Sequence, residues 1–392
     1  MGISLYAFGV RVAALFNGKA KLMVAGWGKT MGKLAMAPVG QGKTAWFHAS
    51  SLGEFEQARP VIEAFRQQYP DYKVCLTFFS PSGYEVRKDY PLADFVCYLP
   101  MDTRDNARRF INLLHPTVAF SVKYDYWFNY LEQLRMRQIP TYIFSAIFRP
   151  DQYFFKDYGR WFLKHLQRCF THIFVQNEES LHLLQQHGVM QCSIAGDTRF
   201  DRVNAVAHET EGNGAVEDFI RKNPGRKVIV AGSSWEPDEE LLARYFEAHK
   251  EQMTLIVAPH VIAESHLSDI EQRLFAGHRT TRYSHLAEAA EESHILLIDN
   301  IGMLAQLYRY ADVAYIGGGF GHGIHNILEA VTYGKPVVFG PKYRKFQEGC
   351  DMVAQGGGFS IGNYRQLAET LDRLMGDEEA YRQAAETCKA YI

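Results

Sequence analysis

The stretch Ala314–Pro341, AYIGGGFGHGIHNILEAVTYGKPVVFGP, decides how this chain folds and where it binds. An apolar strand, Asp312–Ile316, runs into five glycines, Gly317, Gly318, Gly319, Gly321 and Gly323. A helix opening near His325 and carrying Glu329 is expected next. Tyr333-Gly334-Lys335-Pro336 stops it, and Val337–Phe339 reads as the following strand. Strand, turn, helix, strand is the repeating unit of a parallel sheet. Glycines let a backbone approach an anion closely. A helix start offers unpaired N–H groups at the positive end of its dipole. A carboxylate one turn into the helix can accept from ribose hydroxyls, and a phosphate held beside a sugar hydroxyl points to a nucleotide. A plain strand–helix connection uses the same glycines. The ordered set HN-x-LE, GKP and FGP argues for the ligand instead.

Outward from this stretch the same alternation runs in both directions. Upstream, strands are expected at Thr44–Ala49, Lys73–Phe79, Phe95–Leu99, Thr117–Val122, Thr141–Ser145, His172–Gln176 and Gln191–Ala195, with helices between them. A second series follows: Arg226–Ala231, Met253–Ala258, Ile295–Ile298 and the glycine-turn strands, with helices at about 237–249, up to 276, at 301–310, and three more from 346 to 390. Each series implies a doubly wound α/β sheet covered on both faces. The polar segment Asn204–Gly214, with Glu209 and Glu211, reads as the linker. The expected division is an arm at 1–43, one domain at 44–203 and a second at 204–392. Two such domains meet at a central cleft, and ligands bind at the carboxyl ends of the strands.

The 392 residues suit two domains. A net charge of −2 gives no nucleic-acid signature. The six cysteines are scattered without a C-x-x-C pair, so neither a zinc site nor a disulfide framework is implied. The N-terminus departs from the average. No acidic residue precedes Glu54, whereas Arg11, Lys19, Lys21, Lys29, Lys33 and Lys43 do, among Leu5, Tyr6, Phe8, Val12, Leu15, Phe16, Leu22 and Trp27. The apolar run is shorter than the roughly 20 residues of a spanning helix. A basic, apolar, Trp-containing arm reads as lying on an anionic membrane surface. The alternative is a basic helix packed on its own domain.

Several motifs fail. Gly42-Lys43-Thr44 precedes a strand and lacks the first P-loop glycine. The glycines at 317–323 do not fit G-x-G-x-x-G, and no Asp-x-Asp occurs. His322 and His325 have no evident third ligand, so no metal is expected. What remains is a set of strand–helix turns. In HASSLGE, 48–54, Ser50 or Ser51 can cap the next helix and Gly53 allows close approach. Glu54 there is either a cap glutamate favourable to the helix dipole or a general base towards a hydroxyl. In the second half, Gly232-Ser233-Ser234, Pro259-His260 and Asp299–Leu304 each follow a strand, at heights suited to a phosphate, sugar or base.

These residues resemble the 3-deoxy-D-manno-octulosonate (Kdo) transferases of lipopolysaccharide assembly. The matching stretches are HASSLGE, AGDTRFD at 195–201, AGSSWEPDEE at 231–240, IDNIGMLAQLYRYADVAYIGGG at 298–319 and HNILEAVTYGKPVVFGP at 325–341. The resemblance implies a GT-B glycosyltransferase with two Rossmann-like domains. It further implies inverting, metal-independent transfer of Kdo from CMP-Kdo to a lipid A precursor, without a cofactor, at the cytoplasmic face of a bacterial inner membrane. Carried over, Glu54 is the base, with Lys123 and Arg199 beside the reacting groups and Ser50, Ser51 and Gly53 on the acceptor side. The CMP-Kdo site comprises Ser233, Ser234, Pro259, His260, Gly302, Met303, Leu304, Gly318, Gly319, Asn326, Ile327, Leu328 and Glu329. The chain departs from the family where arginine is common at His260, glutamate at Met303, glutamate at Lys123 (with Asp125 as the second acid) and lysine at Arg199. A nucleotide-sugar epimerase of similar architecture, or a non-catalytic membrane-associated protein on a degenerate GT-B fold, are the competing readings.

Overall fold

The computed structural model describes residues 2–208, 212–288 and 293–392. They form two compact units, Met1–Arg202 and Val203–Ile392. The first unit is a parallel seven-stranded sheet of β1 (Thr44–His48), β2 (Lys73–Phe78), β3 (Phe95–Tyr98), β4 (Val118–Val122), β5 (Thr141–Ala146), β6 (His172–Val175) and β7 (Cys192–Ile194), in the order β3-β2-β1-β4-β5-β6-β7. All five residues of β1 are buried, as a central strand covered on both faces requires. Alternation sends Trp46 and Phe47 to opposite faces. Trp46 packs with Phe110, Leu114 and Tyr130, and Phe47 with Phe55 and Ile62.

The second unit repeats the plan with β8 (Lys227–Ser234), β9 (Met253–Pro259), β10 (Thr280–Arg282), β11 (Ile295–Leu297), β12 (Val313–Ile316), β13 (Val337–Phe339) and β14 (Gly358–Ser360). Their order is β10-β11-β9-β8-β12-β13-β14, again parallel. In each sheet the chain first builds one side of its first strand, then crosses to the other side. The reversal falls between β1 and β4 in the first unit and between β8 and β12 in the second. Loops at the carboxyl ends diverge there and leave room for a ligand.

Several elements differ from the sequence-based expectation. The expected linker is largely helical: helices Thr198–His208 and Gly214–Arg221 flank residues 209–211, which lie outside the described residues. β8 continues through Gly232-Ser233-Ser234, which read as a turn. Pairing with β9 up to Pro259 overrides the turn propensity, and Ser233 absorbs a register shift at φ 51°. The helix expected at 301–310 is one turn, Leu304–Leu307, followed by a tighter turn, Tyr308–Tyr310. The helix expected to open at His325 opens at Leu328 and lasts four residues, to Val331. The glycine turn folds back on itself as far as Asn326, whose side-chain oxygen accepts the Leu328 N–H at 3.3 Å. Helix Pro81–Arg87 and strands β10 and β14 are short elements without a periodic signal.

At the N-terminus, helix Gly18–Ala35 packs on the first unit. The Thr30 hydroxyl donates to the Tyr98 carbonyl at 2.9 Å, and Leu34 is buried. Helix Gly2–Ala13 and the turn after it leave Tyr6, Phe8, Val12, Leu15 and Phe16 exposed beside Arg11, Lys19 and Lys21. Among the described residues no helix is long and apolar enough to cross a membrane.

Candidate functional site

In the first unit the turn after β1 and the turn after β4 meet. Ser51 caps helix Leu52–Gln68, and Glu54 completes the capping box by accepting the Ser51 N–H at 3.0 Å through Oε2. Gly53 occupies the first turn of that helix, with open space where a side chain would stand. Asp125 is buried and accepts the Ser50 N–H at 3.1 Å and the Ser50 hydroxyl. Burial raises the Glu54 pKa more than its Ser51 bonds and the Lys123 charge lower it. Asp125 is raised further, by burial and then by the charge of Glu54. His48, between Thr77 and Ser50, is held neutral, its pKa lowered to about 3 by burial. Two carboxyl groups thus share a partly dry pocket, the arrangement in which a carboxylate becomes a useful base.

Lys123 is left-handed, at φ 58°, directly after β4, and Ser145, at φ 51°, lies in β5 near its end. Such backbone costs about 1 kcal/mol or more outside glycine and gathers at sites that need a fixed geometry. Ser145 holds the start of helix Thr198–His208: its hydroxyl accepts the Thr198 N–H at 3.1 Å, and Thr198 donates to the Gln57 carbonyl at 2.6 Å. That fixes Arg199, which grips Asp197 at 2.8 Å through Nε and at 2.7 Å through a second nitrogen. Burial acts to raise Asp197, but Arg199 outweighs it and holds the carboxyl below the usual range. Tyr124 gathers the cations. Lys123 Nζ lies 5.5 Å from its ring centre, Arg149 donates to its hydroxyl at 3.2 Å, and Arg199 is near enough to act on its ionisation. Arg149 lies in no motif, and Tyr124 lies between the two marked residues Lys123 and Asp125. Adjacent pairing of β4 and β5 brings Arg149 and Tyr124 together.

In the second unit Asp238 ties the glycine turn to helix Glu236–His249. It accepts N–H groups from Trp235 and Gly318, both at 3.0 Å, and the Tyr315 hydroxyl at 2.8 Å. Pro237 followed by an acid is a helix-start signal that would have found it. Gly318 sits at φ 89°, where only glycine is unstrained. Asp238→Ala is expected to cost about 2–3 kcal/mol by orphaning these donors, seen as an earlier denaturant midpoint of the second unit.

The other candidates differ in what they can offer a ligand. Ser234 is buried and its hydroxyl donates to Glu239 at 2.9 Å. Ile327 and Leu328 point into the core and can offer only backbone. Pro259 ends β9 and is buried. Ser233, His260, Gly319 and Asn326 lie at the carboxyl ends of β8, β9 and β12 or in the turn that follows, Glu329 lies in the short helix Leu328–Val331 beyond it, and Asn326 Nδ2 donates to Glu329 Oε1 at 3.1 Å. Gly302 and Met303 lie in the loop beyond β11, Gly302 at φ 104°, and Leu304 opens the helical turn Leu304–Leu307. The N–H groups of Gly317, Gly318, Gly321, Gly323 and His325 are all engaged within the unit. Part of the row of donors that the turn's composition suggests is therefore committed to the fold.

The close cluster of histidine, cysteine and carboxylate groups among the described residues is Glu132, His165 and Cys169, on helices Phe128–Met136 and Arg160–Cys169. Arg135 clamps Glu132, and burial pushes the Cys169 thiol up to about 12.

Solved structures share the two-sheet architecture. A UDP-GlcNAc 2-epimerase from Neisseria meningitidis bound to UDP-GlcNAc aligns with TM-score 0.62 at 15% identity, covering 88% of this chain and 94% of that one. A putative UDP-N-acetylglucosamine 2-epimerase from Listeria monocytogenes aligns with TM-score 0.61 at 13% identity, over 88% and 91%. At these identities the likeness is one of fold, GT-B, and the chain is a glycosyltransferase of that fold by its sequence relatives. Residues 25–202 match the 3-deoxy-D-manno-octulosonic-acid transferase (kdotransferase) family. A 3-deoxy-D-manno-octulosonic acid transferase of Chlamydia pneumoniae is 24% identical over 371 residues, 90% of this chain and 82% of the relative. One from Aquifex aeolicus is 25% identical over 340 residues, 84% and 85%. Residues 25–202 thus carry the Kdo transferase family's domain, and over most of its length the chain is similar to Kdo transferases.

Proposed function

We propose that this protein transfers Kdo from CMP-Kdo to a glucosamine hydroxyl of a lipid A precursor, with inversion and without a metal. The observation that carries the reading is Glu54: a half-dry carboxylate of raised pKa, at the switch point of the first unit, in a chain whose residues 25–202 match the Kdo transferase family. The acceptor oxygen forms the new bond to the anomeric carbon while its proton passes to Glu54. The bond from that carbon to the CMP phosphate breaks, and CMP leaves with the electron pair. Glu329 and Asn326 suit the ribose hydroxyls of CMP. Lys123, Arg149 and Arg199, gathered at Tyr124, suit an anionic group of the substrates, either the Kdo carboxylate or an acceptor phosphate. Exposed Phe8, Leu15 and Phe16 beside Arg11, Lys19 and Lys21 suit an anionic bilayer surface, where such an acceptor resides.

The test is CMP release from CMP-Kdo, with and without a lipid A precursor in detergent, in the presence of EDTA. Acceptor-dependent release is expected, with mass analysis showing the added sugar. Release that ignores the acceptor, or that EDTA abolishes, would overturn the reading. The same assay run against pH reports on the base. Only ionised Glu54 accepts a proton, and its pKa lies above the ordinary 4.5 because of burial. The rate should therefore fall as pH drops through that raised value, along a limb that Glu54→Gln removes.

A further inference from the structure

Three rings stack at the carboxyl ends of β8, β9 and β12. The centres of Trp235 and His260 are 4.6 Å apart at 23°, and those of His260 and His325 are 4.6 Å apart at 28°. The stack brings the Trp235 Nε1–H to 3.3 Å from His325 Nε2. An indole N–H only donates. Nε2 is therefore the unprotonated nitrogen, and a neutral His325 ring carries its proton on Nδ1. Neutrality is secured by burial and by neighbouring His260, which lower the His325 pKa to about 4. The Cδ2–Nε2 edge faces Gly318, where an added Cβ would stand 2.9 Å from Cδ2 and 3.2 Å from Nε2. Nδ1 lies on the other edge, without a hydrogen-bond partner among the described residues.

The surrounding turn gives this proton a use. Five of its N–H groups are engaged internally, and the helix beyond it has only four residues. A side-chain donor at this turn would add to what its remaining N–H groups can offer a phosphate. We propose that Trp235 fixes His325 as the Nδ1–H tautomer, so that His325 donates through Nδ1 to the phosphate of the bound nucleoside monophosphate. The proposal rests on the CMP-Kdo reading and adds two residues to it, His325 as a binding residue and Trp235 as a positioning residue.

The experiment combines histidine-ring 15N spectra of the labelled full chain with calorimetric CMP titration of the same samples. Wild-type His325 should show the Nδ1–H pattern. Trp235→Phe, which keeps an aromatic ring and deletes the donor, should lose that pattern and bind CMP about five- to ten-fold more weakly, the worth of one hydrogen bond. His325→Asn places an amide N–H near the position of Nδ1 and should stay within about three-fold of wild type. His325→Gln, reaching instead to the Nε2 position, should behave like Trp235→Phe. Adding Trp235→Phe to His325→Asn should cost nothing more. Thermal melts verify that each variant is folded. A wild-type ring protonated on Nε2, or Trp235→Phe with unchanged CMP affinity, would overturn the proposal. If wild type binds no CMP at all, the donor-site reading fails and takes the phosphate contact with it, while the spectra still decide the Trp235–His325 link.

Discussion

Glu54→Gln is expected to lower acceptor-dependent transfer about a thousandfold, within the range for loss of a general base, and to leave CMP affinity unchanged. Glutamine is chosen because Glu54 holds two positions at once. Its Oε2 accepts the Ser51 N–H in the capping box, and its charge stands in a pocket shared with Asp125 and Lys123. A glutamine carbonyl still accepts the Ser51 N–H, so the cap survives at a cost of a few tenths of a kcal/mol to about 1 kcal/mol. What glutamine cannot do is take a proton from the acceptor hydroxyl. A variant that melts like wild type, binds CMP and does not transfer identifies the base. A variant that turns over at the wild-type rate leaves Glu54 as a cap alone.

Gly317→Ala is expected to destabilise the second unit by on the order of 4 kcal/mol, past the usual overpacking range because backbone, not a pliable side chain, receives the clash. A Cβ at this position would lie 2.2 Å from the Ser233 carbonyl oxygen and 2.6 Å from the Ser234 Cα. It would force apart β8 and β12, the two strands flanking the chain reversal, and break the Gly317 N–H bond to the Gly232 carbonyl at 2.9 Å. Denaturant unfolding should show an early transition of the second unit alone, with CMP binding lost. A variant of wild-type stability would mean that β8 and β12 tolerate a separation the packing does not suggest.

The sequence made the long elements legible because their burial is periodic or continuous. β1, with five buried residues in a row, is legible nearly to the residue, and the start of helix Leu52–Gln68 is legible from its Ser51 cap. Legibility failed where a distant partner decides the outcome. Gly232-Ser233-Ser234 has the composition of a turn and becomes strand only because β9 pairs with it. Asn326 and Ile327 have the composition of a helix start but belong to a turn held by Asp238, eighty residues earlier by the Gly318 contact. The site divides in the same way. Glu54, Arg199 and Glu329 lie in motifs and were marked. Arg149 lies in none, and Trp235 and His325, although inside the AGSSWEPDEE and HNILEAVTYGKPVVFGP stretches, meet through the fold, a contact that no spacing in the sequence encodes.

The five tryptophans are Trp27, Trp46, Trp127, Trp161 and Trp235, so the second unit holds a single indole. That indole is half-exposed, stacked on one imidazole and hydrogen-bonded to another at the edge of the glycine turn. The second unit therefore carries a built-in optical label. With the four indoles of the first unit replaced by phenylalanine, emission near its red edge would follow nucleotide arrival in real time, without a dye and without a coupled enzyme.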